Sequence, residues 1–273
     1  MGFFTKNYDT PGKGVSKNEP EKKGFFRFFE LYFRNFWMLV SAGLWYILLS
    51  IPVVTSGLAN VGMAYICRMA ARDKHVFLTS DFFGAIKRNW KRALPVGIIN
   101  LIISAVFAAD LYVLYIYWSQ SIINKTWGAV VFAASMVFIA GFTFMKYYIY
   151  TLMITFDYNI KTLYKNSWLF ATLGIKHNLI ITGTLALIFV LAYILLLLNF
   201  RIGFAIIIVV GAFIYPSFSC FLIQFNVFPE IKKYIIDPYY AEHPNDDIEK
   251  RRDLGLIKSD EESVFEDNGV EED

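Results

Sequence analysis

An ionisable side chain inside an apolar run is costly to bury, so it points first to ligand contact, ion movement or proton transfer. Asp110, in the run AVFAADLYVLYIYW, is the clearest such residue. A carboxyl group there suits a proton or cation relay or a contact to a sugar hydroxyl. Its bland use is as a neutral acid hydrogen-bonded to Tyr or Asn on a neighbouring helix. Asn100 and Asn60 complete a candidate intramembrane polar site, and interhelical hydrogen bonding is their ordinary role. Lys146 lies near the inner end of its own run. Helical rise separates it from Asp110 by about 16 Å in depth, too far for a direct pair.

Other chemistries lack their constellations. There is no HExxH, no GxSxG, no phosphate-cradling glycine loop and no pair of intramembrane carboxylates, so no catalytic residue is assigned and an enzyme is not expected. Cys67 and Cys220 have no partner at CxxC or CxxH spacing, and His75, His177 and His243 are far apart. Neither a metal site nor a cofactor is expected.

The elements that must hold these residues are helices in lipid. The chain has 273 residues, 56% hydrophobic and 18% aromatic, with a mean hydropathy of +0.45, which exceeds what a soluble core needs. A helix rises about 1.5 Å per residue, so about 20 apolar residues cross about 30 Å of hydrocarbon. Runs at 36–54, 56–71, 94–118, 127–150, 179–198 and 202–224 qualify, the second being short and rich in small residues. The fold class is therefore an all-α polytopic membrane bundle of about six transmembrane helices. Lys and Arg are retained on the cytoplasmic side, and they crowd before residue 36 and between 72 and 92. Six spans satisfy every loop, with both termini cytoplasmic in a cell membrane. A re-entrant hairpin over 36–71 fits the same charges.

Three stretches beside the spans are amphipathic at helical spacing, at about 25–35, 80–92 and 159–170. The last two present Lys87, Arg88, Lys91, Arg92, Lys161 and Lys165, a candidate surface for lipid headgroups or a partner. Both follow an aspartate (Asp81, Asp157) and end in Trp, suggesting a weak internal repeat. Residues 1–24 form a basic segment expected to be disordered, and 25–228 the membrane domain. From Pro229 onward, 15 acidic residues face 6 basic ones, so the tail is expected to be mostly disordered. The first apolar run begins near Phe36 with no cleavage pattern after it, so no signal peptide is expected.

The segments PGKGVSKNEPEKKGFFRFFELYFRNFW, SIPVVTSGLA, DFFGAIKRNWKRAL and YTLMITFDYNIKTLYKNSWLFA, in this order, resemble the YesL-like bacterial membrane proteins, a domain of unknown function, from about Pro11 to about Pro229. The resemblance implies a cell-membrane protein of mostly Gram-positive bacteria, often encoded near carbohydrate uptake and degradation systems. It implies no catalytic residue. An accessory or regulatory component of carbohydrate uptake is the expected function, with the lipid bilayer, a carbohydrate ABC transporter or a sensor kinase as partners and no nucleic acid. The alternative is a sugar or small-solute permease in its own right.

Overall fold

The computed structural model describes residues 24–120 and 124–242, and every regular element among them is helical. The expected disorder at 1–24 and in the far tail falls almost wholly outside these residues. Near the tail's start the helix continues past Pro229 through a π-helical turn at Lys232–Ile236 to Glu242, with Ile231 and Ile236 buried.

The first helices are α1 (Phe25–Arg34), α2 (Phe36–Ser50) and α3 (Ser56–Ala71), the last two joined by a tight turn. Of the three, α3 is central, packing against α1, α2 and the later helices α4 (Leu78–Ser119), α5 (Lys125–Thr155) and α9 (Tyr215–Ile231). Its small residues permit this, because helices approach closely where side chains are short. A Cβ on Gly62 would lie 2.7 Å from the Phe82 ring, and one on Gly57 would lie 2.7 Å from the Gly97 Cα. Thr55, at the N-cap position of α3, makes no side-chain cap bond and donates its hydroxyl to the Leu49 and Pro52 carbonyls, which ties the turn. The amphipathic α1 docks on protein as well as facing outward. Phe28, Leu31 and Tyr32 are buried, and Phe28 packs on Phe218, Phe221 and Phe225.

The stretch 80–92 is not a separate surface helix. It is the first part of α4 (Leu78–Ser119), a 42-residue helix that runs through Pro95 into the apolar segment. Its buried face follows Phe82, Ala85, Asn89, Ala93, Val96 and Asn100, whereas Trp90 is half-exposed. Helix α5 (Lys125–Thr155) returns, and α6 (Ile160–Leu173) follows as an independent helix capped by the Asn159 side chain. The proposed repeat is thus unequal, fused with its span in one copy and broken from it in the other. Then come α7 (Ile175–Leu198), α8 (Phe200–Phe213), α9 (Tyr215–Ile231) and α10 (Asp237–Glu242).

Among the described residues three helices, α4, α5 and α7, are long and apolar enough to cross a membrane, and the pair α8–α9, bent by 51°, counts as a fourth if its two halves form one span. Pro216 in the first turn of α9 has no N–H to continue the ladder, which accounts for the bend. These helices expose Val106, Tyr115, Val137, Phe138, Leu191 and Phe204, a band too apolar for water. The chain is therefore membrane-associated. The count differs from six because α2 and α3, at 15 and 16 residues, stop short. The start of α3 is level with Gly97, and from there α4 rises about 33 Å further.

Candidate solute site within the helix bundle

Where the hairpin tip ends, four helices and the hairpin enclose a partly open cavity of about 630 Å³. This lies within the range of about 300–1,000 Å³ of small-molecule sites. Each wall is one helix face at i, i+3, i+4, i+7 spacing. From α5 come Thr143, Lys146, Tyr147 and Tyr150; from α4, Gly97, Asn100, Leu101 and Ser104; from α7, Thr182, Leu185, Ala186 and Phe189. Helix α9 adds Tyr215, Ser219, Cys220 and Gln224, and the hairpin adds Tyr46, Ser56 and Asn60. Among the described residues the α4–α5 and α7–α8 arms meet chiefly where α5 touches α7, with no extensive packing of α4 or α5 along α8, so beyond the cavity they diverge.

The polar groups are positioned by one another. Tyr147 and Thr182 hydroxyls meet at 3.0 Å and join α5 to α7. Asn100 donates weakly to the Tyr150 hydroxyl at 3.4 Å, and its Oδ1 accepts from Tyr164 of α6 at 2.9 Å. Burial raises the Tyr164 phenol above its ordinary value, with the neighbouring Tyr150 adding to the effect, so it stays a donor. Asn60 donates to the Ser56 carbonyl at 2.8 Å. Gln224, 2% exposed, donates Nε2 to Thr151 Oγ1 at 2.8 Å, yet its Oε1 is buried with no donor among the described residues.

Among the described residues Lys146 supplies the only charge in this wall, and no Asp or Glu lines the cavity. Its ammonium lies 5.7 Å from the Phe142 ring centroid, and no ion pair reaches it among the described residues. Two carboxylates of the described residues are paired elsewhere. Asp157 pairs with Arg92 at 2.8 Å, and Glu230 pairs with His177 at 2.9 Å.

Of the three residues expected to form an intramembrane site, the structure brings Asn100 and Asn60 to the cavity and leaves Asp110 out. Asp110 lies about 15 Å further along α4, half-buried. Sequence reasoning gave weight to the carboxylate and passed over Lys146 and the tyrosines. The signal that finds them is the polar face Thr143, Lys146, Tyr147, Tyr150 within an otherwise apolar run.

The expected headgroup surface divides. Lys87, Arg88, Lys91, Lys161 and Lys165 are exposed, with Arg88 over the Tyr65 ring at 5.3 Å and Lys91 near Trp90 at 6.0 Å. Arg92 is drawn inward, donating to the Phe156 and Tyr158 carbonyls at 3.2 and 3.1 Å and to Asn89 Oδ1 at 2.8 Å.

Residues 32–111 match the family described as Protein of unknown function, DUF624. The DUF624 match takes in the hairpin, the Gly57–Gly97 contact, Asn60, Asn100 and Asp110, and ends before Lys146 and Gln224. No curated protein and no solved structure matches the chain.

Proposed function

We propose that this protein binds a small polar solute in the middle of its bundle and carries it across the cell membrane as a permease. The observation that supports this reading most is the cavity itself. It combines amides, hydroxyls, tyrosines and one lysine at a depth where neighbouring helix surfaces are apolar, and such groups are retained in a membrane where a pathway needs them. A helix that starts within the membrane beside the site, as α3 does at Ser56, is a recurring feature of transporters.

In the orientation we propose, the bilayer is crossed four times, by α4, α5, α7 and α8–α9, with the α2–α3 hairpin re-entering from the cytoplasm. This places both termini and the basic residues of 72–92 inside. The packed layer around Phe28, Tyr32, Phe221 and Gln224 then closes the cytoplasmic end, and the separated arms leave the outer end open. The YesL-like resemblance fits the DUF624 match and suggests carbohydrate as the solute class, in a mostly Gram-positive setting.

A second reading, an accessory component docked to a carbohydrate ABC transporter or sensor kinase, is favoured by the exposed Lys87, Arg88, Lys91, Lys161 and Lys165. Reconstitution separates the two. Purified protein in sealed vesicles is expected to accelerate the entry of radiolabelled monosaccharides or sugar acids. Vesicles as tight with protein as without it, together with co-purification of a transporter from native membranes, would replace the permease by the accessory role.

A further inference from the structure

We infer that the occupant of the cavity is a hydroxylated anion, with Lys146 holding its carboxylate or phosphate and Gln224 accepting from one of its hydroxyls. This rests on the solute-site reading above and names the ligand's chemistry.

Two independent observations lead to it. The first is charge. Lys146 is a cation at the cavity wall with no carboxylate in that wall, and its contact with Phe142 is weak compensation. Its side chain is exposed at the cavity wall, where no described carboxylate supplies the opposite charge, and a ligand anion fills that role. The second is an unfilled acceptor. The Thr151 hydroxyl donates to the Tyr147 carbonyl at 3.3 Å, so it accepts from Gln224 Nε2 and leaves Gln224 Oε1 without a donor. A buried acceptor without a partner is costly, and a ligand hydroxyl satisfies it. Tyr150 and Asn100 add groups that donate or accept as required.

Such an anion reaches the site either from water or as the headgroup of a glycerophospholipid. The test uses full-length protein in nanodiscs of pure phosphatidylcholine, titrated calorimetrically with D-glucuronate and with D-glucose, which differ by a carboxylate. Glucuronate is expected to bind at least tenfold tighter than glucose. Lys146→Met should remove that preference, Lys146→Arg should keep most of it, and Lys165→Met, outside the cavity, should change nothing. Gln224→Leu should weaken both sugars alike. A repeat with phosphatidylglycerol in the disc identifies the source, since competition with glucuronate assigns the site to lipid and unchanged affinity assigns it to a soluble anion.

Equal binding of glucose and glucuronate, insensitive to Lys146→Met, would overturn the anion while leaving a solute site standing. Absence of binding by either sugar in discs of both lipid compositions would overturn both.

Discussion

At the scale of single residues, Arg92 and Asp157 form an ion pair whose two ends carry unequal weight. The Asp157 carboxylate is 97% exposed, so the pair itself contributes little. Arg92, by contrast, donates to two carbonyls of the α5–α6 connection and to Asn89 on its own helix, fastening α4 to that connection. Arg92→Ala should therefore destabilise the protein by about 2–4 kcal/mol, since it leaves those acceptors unpaired, while Asp157→Ala should cost below about 1 kcal/mol. Thermal unfolding in detergent compares the two directly, and equal losses would refute the assignment. Tyr164 gives a pH dependence with a definite sign. Its phenol is raised above the ordinary 10.0, so the stability it contributes is present below that value and is lost as pH rises through the raised one. Tyr164→Phe should thus lower the melting temperature at about pH 8, and its difference from wild type should shrink under strongly alkaline conditions.

At the scale of elements, the hairpin depends on glycine for contact rather than for turning. Gly62 lies beneath the Phe82 ring and Gly57 against Gly97, both with negative φ, so what a larger residue would meet is a neighbour. Gly62→Ala should cost about 1–3 kcal/mol by overpacking, and Phe82→Leu should restore part of it. A double-mutant cycle with no coupling would contradict that packing. Much of this was legible beforehand. The apolar runs gave every long helix nearly in place, and the small residues of 56–71 marked that helix as different. The hairpin's depth was not legible, because charge places loops on a side but cannot distinguish two short crossings from a return. Nor was the fusion of 80–92 with the following span, since Pro95 suggests a boundary where the helix in fact continues. Tertiary packing of Phe82, Ala85 and Asn89 against the hairpin decided it.

At the scale of the molecule, the structure joins a packed layer to a layer of separated arms, and the cavity lies at their junction. Its residues come from five distant parts of the chain, which is why sequence reasoning found Asn60 and Asn100 but joined them to Asp110 on the strength of its charge. Convergence is a property of the fold and not of any one run. On the permease reading, this junction is an aqueous polar site inside an apolar protein. Cys220 reports on it most directly, because it lines the cavity while Cys67 is fully buried. In a Cys67→Ala background within sealed vesicles, a membrane-impermeant, sulfonate-bearing thiol reagent should label Cys220 from the outer face only, and saturating glucuronate should slow that labelling several-fold. A Cys220 that stays unmodified from either face until the protein is denatured would contradict the account.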